Sequence, residues 1–141
     1  MQQAIGHLIV ETPGAGLIEI TRQVAEWVDQ QRIAEGLLTL FCRHTSASLL
    51  INENAASAVR RDLEAYFAAI APEDPRRYEH DDEGPDDMPA HLRTALTSVS
   101  LSIPVIGNNM ALGTWQGIYL FEHRTPPHRR TLALHLIGEP G

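Results

Sequence analysis

Residues 37–43 read Leu-Leu-Thr-Leu-Phe-Cys-Arg, a short apolar run that is typical of a buried β-strand. Working outward from it, we predict further strands near both ends of the chain, over residues 4–12, 99–106, 117–122 and 130–137. Helices are predicted between them, over residues 21–35, over a segment that begins near Asn52 or Asn54 and ends before Pro72, and after Pro85. This arrangement predicts an α+β fold with a mostly antiparallel β-sheet or sandwich and two to three helices.

One compact domain over residues 1–141 is expected, because a chain of this length can bury a sizeable core. The apolar share of 43% and the charged share of 21% are ordinary for a soluble protein. No apolar run approaches the roughly 18 residues that cross a bilayer, and the N-terminus lacks the segments of a signal peptide. Cys42 is the single cysteine, so an internal disulfide and a cysteine-rich metal site are excluded. We therefore expect a cytoplasmic protein without a membrane partner.

The negative charge of the chain is concentrated in one segment. Residues 71–90 contain eight acids and two arginines, so this block carries −6 of the total net charge of −7. A localised acidic segment favours a cation site and argues against nucleic-acid binding. All eleven basic residues are arginines, which excludes lysine Schiff-base chemistry and a P-loop lysine.

Residues 78–91, Tyr-Glu-His-Asp-Asp-Glu-Gly-Pro-Asp-Asp-Met-Pro-Ala-His, place two histidines and six carboxylates within fourteen residues. Pro85 and Pro89 remove backbone donors and Gly84 permits unusual backbone angles, so we predict a loop that opens a short helix. Imidazoles and carboxylates together suit a divalent cation. The alternative is an ordinary solvated acidic loop, and both hypotheses stay open at this point.

His44 lies where the strand at residues 37–43 gives way to a loop, a place from which a side chain can reach a cleft. With His80 and His91 it could form a three-imidazole site that keeps one position open, as catalytic zinc sites do. The neighbouring carboxylates could instead bind magnesium, which would bridge a diphosphate. Ser46 raises the idea of a serine hydrolase, but no Gly-x-Ser-x-Gly elbow is present, and hydrogen bonding within a turn is the simpler role.

Further candidate site residues lie in the second half of the chain. Trp115, which precedes Gln116 between two glycines, could stack on a heteroaromatic ring or could anchor a tight turn. Arg129 and Arg130 open a strand, and their forked donors suit a phosphate, although such pairs are usually surface residues. Glu122 is a candidate general base.

Two acids of the first half are also candidates. Glu53 follows Asn52, and both residues fit helix capping and pairing with the helix dipole. Glu53 could also serve as a general base. Asp62 lies on the predicted second helix, where an acid is usually a surface residue.

Several of these segments together resemble one known family. They are His44-Thr45-Ser46-Ala47-Ser48-Leu49 with Asn52-Glu53, Tyr78-Glu79-His80-Asp81, Asp86-Asp87-Met88-Pro89 with His91, Gly113-Thr114-Trp115-Gln116-Gly117-Ile118, Glu122-His123-Arg124 and Arg129-Arg130. In this combination, which spans nearly the whole chain, the sequence resembles the secondary thiamine-phosphate synthase (YjbQ-like) family. Many relatives have Glu-x-Asp where this chain has Glu122-His123-Arg124, so no carboxylate can act at position 124 here.

The resemblance implies an α+β fold, a cytoplasmic homotrimer and a thiamine phosphate synthase activity, in which a hydroxymethylpyrimidine diphosphate is joined to a thiazole phosphate with release of pyrophosphate. It carries site roles onto His44, Glu53, Asp62, His80, His91, Trp115, Gln116, Glu122 and Arg130. With the candidates above, the expected catalytic residues are His44, Glu53, Asp62 and Glu122. The expected substrate contacts come from Ser46, Trp115, Gln116, Arg129 and Arg130. A divalent metal ion, zinc or magnesium, is expected on His44, His80 and His91.

Three functions are consistent with these residues. The first is the coupling enzyme, in which a divalent ion binds the diphosphate leaving group of a small phosphorylated heterocycle and an arginine holds the other phosphate. The second is a metal-dependent hydrolase of a small ester or amide, with Glu53 or Glu122 as base. The third is a non-catalytic trimeric protein that binds a metal or a ligand.

Overall fold

Eight strands and three α-helices make up the chain, and the computed structural model describes all 141 residues. The elements are β1 (Gln2–Thr12), β2 (Gly16–Glu19), α1 (Thr21–Gln31), β3 (Ile33–Cys42), β4 (Ala47–Glu53), α2 (Ser57–Ile70), α3 (Asp87–Leu96), β5 (Ser100–Ile106), β6 (Asn109–Met110), β7 (Gln116–Glu122) and β8 (His128–Pro140). A single 3₁₀ turn over Pro75–Arg77 lies in the acidic segment between α2 and α3.

The strands form two antiparallel sheets that enclose the core. The five-stranded sheet has the order β1-β8-β3-β5-β6 and the three-stranded sheet has the order β2-β7-β4. Leu38 and Leu134 from the larger sheet and Leu49 and Leu120 from the smaller one are nearly inaccessible and belong to one core cluster. The predicted α+β fold in a single domain is therefore confirmed, with the core between the two sheets.

The long strand β8 organises the larger sheet because all of β1 pairs with it on one side and β3 pairs with it on the other. Its leucines at 132, 134 and 136 are buried in the core. The residues between them point to the opposite face, as the two-residue period of a strand requires.

The first predicted helix is too long at its C-terminal end. Helix α1 ends at Gln31, because Arg32 adopts a left-handed conformation with φ of 56°. Ile33 to Gly36 then belong to β3, where Ile33 is buried in the core. A left-handed residue after the last helical turn is a common way for a helix to stop, although glycine is the usual residue there.

The segment over Ala47–Glu53 was expected to be a loop and a helix cap, and it forms the strand β4 instead. Its apolar residues pair with β7 in antiparallel register, with Leu49 opposite Leu120. Asn52 therefore caps no helix, and α2 begins at Ser57 without any side-chain cap. The tertiary pairing with β7 outweighs the capping signal of the two asparagines.

The outer face of the five-stranded sheet is open and carries several exposed apolar side chains. The side chain of Ile5 is 73% exposed, and Ile9, Leu37 and Phe41 on the same face are also exposed. The helices pack elsewhere: Trp27 of α1, for example, lies against Gly6 from the inner side. No helix of the structure combines the length and apolarity that crossing a bilayer requires.

Gly36 and Gly138 face each other across β3 and β8, and this pair tests the packing of the larger sheet. A Cβ atom at Gly138 would overlap the carbonyl oxygen of Glu35, and backbone cannot swing aside as a side chain can. We expect Gly138→Ala to lower the free energy of unfolding in urea by about 1–3 kcal/mol or more, as overpacking does. Ser102→Ala, at an exposed position of β5, is the control and should change it by less than about 0.5 kcal/mol.

Candidate functional site

The acidic segment ends in α3, and the start of this helix carries the central side chain of the site. Asp87 is the first residue of α3 and is 3% exposed. Gly84, with φ of 100°, turns the preceding loop toward it. His91 lies one helical turn further along, so the spacing of four residues places its ring on the same face as Asp87.

Four side chains converge around Asp87. His80, Glu83, Asp87 and His91 each offer one ligand atom, and these atoms all lie within 4.8 Å of one another. Asp87 Oδ2 is 2.8 Å from His80 Nε2 and 3.1 Å from His91 Nε2. His80 Nε2 is also 3.4 Å from Glu83 Oε2. Two imidazoles and two carboxylates form a donor set that suits a divalent metal ion.

The hydrogen bonds of His91 indicate which of its two ring nitrogens carries the proton. His91 Nδ1 lies 2.9 Å from the carbonyl oxygen of Thr45, which can only accept, so Nδ1 carries the proton. In a neutral ring Nε2 then presents a lone pair to Asp87 Oδ2. Two acceptors at 3.1 Å need a cation between them or a second proton on the ring.

His80 has a similar arrangement, with carboxylates on both sides of its ring. Its Nδ1 is 3.4 Å from Asp82 Oδ1, while Nε2 faces Asp87. The hydrogen bond with Asp87 is the main reason that the pKa of His80 is raised above its ordinary value. An outer carboxylate that orients an imidazole toward the centre of a site is the usual support of a histidine ligand.

Arg124 holds the carboxylates of the site in place from the other side. Its Nη1 donates to Asp87 Oδ1 at 3.0 Å and its Nε donates to Asp86 Oδ2 at 2.9 Å. Burial would raise the pKa of Asp87, but the hydrogen bond with His80 and the positive charge of Arg124 lower it overall. Asp87 is therefore ionised, with one oxygen bound to Arg124 and the other facing the two imidazoles.

His44 lies outside this cluster. Its Nε2 accepts a hydrogen bond of 2.8 Å from the backbone amide of Thr131. It shares with His91 a cavity of about 430 Å³. The structure thus brings His80 and His91 together, with ring centroids 5.6 Å apart, and adds Glu83 and Asp87 where the sequence predicted His44.

Glu122 and Arg130 form a buried ion pair next to His44. Glu122 Oε1 accepts from Thr12 Oγ1 at 2.8 Å and from Arg130 Nε at 2.7 Å. Glu122 Oε2 accepts from Arg130 Nη2 and from two backbone amides. Ser46 Oγ accepts from Arg130 Nη2 at 3.0 Å. Burial would raise the pKa of Glu122, but these hydrogen bonds outweigh it and the pKa is lowered.

The remaining predicted site residues lie apart from the cluster. In the β4–β7 register, Glu53 is opposite Gln116, whereas Ala47 is opposite Glu122. Six residues of strand separate Gln116 from Glu122, which is about 20 Å. Trp115 precedes Gln116 and is 64% exposed. Within one chain, Glu53, Trp115 and Gln116 therefore do not contact the His80–His91 cluster.

The other two predicted residues are on the surface. Asp62 is exposed on α2. Arg129 is exposed, and its Nε is 3.8 Å from Glu11 on the neighbouring strand. Neither side chain contacts the cluster.

Sequence reasoning did not single out Glu83, Asp87 or the structural role of Arg124. The signal for Asp87 was present as Asp-x-x-x-His at the start of a predicted helix, a spacing that places both side chains on one face. It was hidden because Asp87 is one of eight acids in residues 71–90. The pairing of Arg124 with Asp86 and Asp87 is a long-range contact that no local pattern indicates.

His123 is a further buried histidine that the sequence did not mark. It is 1% exposed, and its Nε2 lies 2.9 Å from Ser48 Oγ, while Nδ1 has no partner. Burial lowers its pKa to about 3, with the nearby positive charge of Arg93 as the next cause. The ring is therefore neutral in the folded protein and packs on Phe121 at a centroid distance of 4.3 Å.

Fold and site together define a class of small α+β proteins with two antiparallel sheets and a histidine–carboxylate cluster at the start of a helix. The chain belongs to the family described as UPF0047 protein YjbQ-like, whose model matches residues 7–139. The predicted resemblance is therefore confirmed at the level of the YjbQ-like family.

Relatives of the chain include proteins of known sequence and of known structure. UPF0047 protein sll1880 of Synechocystis is 48% identical over 132 residues, covering 94% of this chain and 90% of the relative. UPF0047 protein YjbQ of Escherichia coli O157:H7 is 46% identical, covering 86% of this chain and 85% of the relative. A hypothetical protein from Aeropyrum pernix K1 has a similar structure, with a TM-score of 0.86 at 30% identity, covering 96% of this chain and 99% of that one. These names state no activity.

The buried neutral ring of His123 predicts how stability depends on pH. Its pKa is about 3 in the folded chain, against 6.5 ordinarily, so unfolding takes up one proton between these values. The contribution is fully present above pH 6.5 and is lost as the pH falls, by up to about 1.4 kcal/mol per pH unit. We expect His123→Gln to make the free energy of unfolding less steeply dependent on pH between about pH 6 and 4, by about one proton. Urea unfolding at several pH values measures this slope.

The matched control is His128→Gln, because His128 is only half-buried at the start of β8 and does not share the sheet face of Ile5 and Ile9. It should leave the slope unchanged. An identical slope for wild type and His123→Gln would show that His123 titrates normally in the folded chain.

Proposed function

We propose that this chain is a divalent-metal-dependent enzyme that acts on a small phosphorylated heterocycle. Its reaction is that of a secondary thiamine phosphate synthase, which joins a hydroxymethylpyrimidine diphosphate to a thiazole phosphate and releases pyrophosphate. The observation that supports the proposal best is the convergence of one ligand atom each from His80, Glu83, Asp87 and His91 within 4.8 Å, with His91 Nε2 directed at Asp87 while Nδ1 is bonded to the carbonyl of Thr45.

The residues present fit a metal ion in both identity and orientation. His80, His91, Asp87 and Glu83 would hold it, and two imidazole ligands favour zinc over magnesium. The backbone carbonyl of Thr45 supports one ring and Asp82 the other, as outer partners of histidine ligands do. When bound, the ion supplies positive charge that stabilises a diphosphate leaving group.

The surroundings of the cluster favour coupling over hydrolysis. A cavity of about 430 Å³ reaches His91 on one side, and a second cavity of about 340 Å³ reaches His80 on the other, beside Tyr78 and Met88. Two recesses next to one cluster suit a reaction with two substrates.

The hydrolase alternative lacks its expected base. Both oxygens of Glu122 are already hydrogen-bonded to Thr12, Arg130 and backbone amides. Glu53 lies at the far end of β4, opposite Gln116.

Zinc binding tests the site itself. We expect Asp87→Asn and His91→Ala each to weaken zinc binding by more than about 100-fold, because the loss of a direct ligand exceeds the 10- to 100-fold effect of losing an outer partner. Equilibrium dialysis with elemental analysis measures the affinity and the number of ions per chain. His44→Ala should keep its zinc, because His44 lies outside the cluster, and His7→Ala is the surface control. Unchanged zinc affinity in both Asp87→Asn and His91→Ala would show that this cluster does not bind the metal.

Product analysis of the zinc-loaded protein tests the reaction. The proposal requires pyrophosphate release that depends on both substrates and yields a coupled product. Phosphate or alcohol released from one substrate alone would indicate a hydrolase. Tight zinc binding without turnover on either substrate would indicate a binding protein.

We also propose that copies of this chain assemble as a homotrimer. The number three comes from the family resemblance, and the exposed apolar side chains on the open face of the five-stranded sheet support association. Ile5, Ile9 and Leu37 expose apolar side chains on one face of the sheet, where burial would be favourable.

Sedimentation of one charge variant tests this surface. Ile5→Asp should shift the protein toward monomers, because it places a carboxylate in an apolar interface, and the 73% exposure of Ile5 in the single chain predicts an intact fold. Tyr66→Asp, at another exposed apolar position on α2, is the matched control. Dissociation by Tyr66→Asp alone would move the interface from the sheet to the helix.

A further inference from the structure

Neither arginine that the sequence offered for a second phosphate is suited to that role. Arg130 is 4% exposed and is bound to Glu122 inside the protein. Arg129 pairs loosely with Glu11 on the outer face of the sheet. A substrate with two anionic groups would therefore need a different cation near the cluster.

Arg43 is such a cation. It forms none of the ion pairs of the structure, and its exposed side chain lines a cavity of about 370 Å³ with Phe41, Cys42, His44, Thr45 and Val99. Three of these residues, His44, Thr45 and Val99, also line the cavity that reaches His91. The two cavities thus form one surface groove, the Arg43–His91 groove, that runs from Arg43 past His44 to the edge of the cluster.

The ring of His44 is fixed as a hydrogen-bond donor in this groove. Because the amide of Thr131 donates to Nε2 at 2.8 Å, the proton of the neutral ring resides on Nδ1, which has no partner within the chain. Burial is the main reason that the pKa of His44 is lowered, and the positive charge of Arg130 adds to it. The ring is therefore neutral near pH 7 and donates through Nδ1–H.

The charge and shape of the groove select an anion with a carbon skeleton. None of the residues that line its two cavities is acidic, although the chain as a whole carries −7. Phe41 is 45% exposed and, with Val99, provides apolar surface between the cationic end and the cluster. A guanidinium with no carboxylate partner keeps its forked donors free for a phosphate or carboxylate.

We propose that the Arg43–His91 groove binds one substrate with two anionic groups. One group lies at the metal cluster beside His91 and accepts from His44 Nδ1–H, and the other is bound by Arg43. The inference rests on the proposed function for the metal end only. It assigns Arg43 as a specificity residue for doubly anionic substrates and His44 as a donor to substrate oxygen instead of a metal ligand.

Two matched probes test the proposal by calorimetric titration of the zinc-loaded protein. Propane-1,3-bisphosphonate carries two anionic groups and propylphosphonate carries one. Arg43→Ala should weaken the bisphosphonate about tenfold or more, as the loss of a charge-assisted hydrogen bond does, and should leave propylphosphonate nearly unchanged. His44→Gln, which can still accept from Thr131, should weaken both probes and keep its zinc, as measured by elemental analysis after each titration.

Arg129→Ala is the control for overall charge and should affect neither probe. Equal losses in Arg43→Ala and Arg129→Ala, or no loss in Arg43→Ala, would overturn the role of Arg43. Loss of zinc from His44→Gln would overturn the role of His44.

The test separates this inference from the metal proposal. If the wild type binds no zinc, the metal proposal fails, and the titrations are then made on the metal-free chain. A selective loss of bisphosphonate binding in Arg43→Ala still supports the groove, and no selectivity overturns it.

Discussion

The buried ion pair between Glu122 and Arg130 is the interaction on which the rest of the site depends. It joins the end of β7 in the smaller sheet to β8 in the larger one. Residues close in sequence to Glu122 and Arg130 then hold the side chains of the site. Arg124, two positions after Glu122, binds Asp86 and Asp87, and Thr131, next to Arg130, fixes the ring of His44. The positions of both the His80–His91 cluster and the Arg43–His91 groove therefore depend on this one ion pair.

Such a pair positions side chains more reliably than it stabilises a fold. Removing charges from water is costly, so a buried pair is often no more stable than apolar residues of equal volume. Here the cost is offset by hydrogen bonds that occupy both oxygens of Glu122, from Thr12, Arg130 and two backbone amides. Loss of either partner would leave the other charged and buried, which is strongly destabilising.

The sequence predicted what depends on local pattern and missed what depends on pairing between distant strands. Strands β3, β5, β7 and β8, and the loop that leads into α3, follow from apolar runs and from proline and glycine. Strand β4 was missed because its polar end, Asn52 and Glu53, resembles a helix start, and only its register with β7 makes it a strand. The cluster was placed in the correct loop, but its two carboxylates, Glu83 and Asp87, could not be ranked among the eight acids of residues 71–90. Trp115 and Gln116 lie far from that cluster because of where β7 pairs with β4, and a short sequence motif carries no information about this pairing.

The grip of Arg124 on Asp87 also determines which ions the cluster can select. With Oδ1 bound to the guanidinium at 3.0 Å, Asp87 has a single oxygen to offer and cannot chelate through both. Calcium prefers about six to eight oxygen ligands and often takes both oxygens of one carboxylate. A cluster restricted in this way would disfavour large ions of high coordination number and would suit smaller ions that prefer nitrogen ligands.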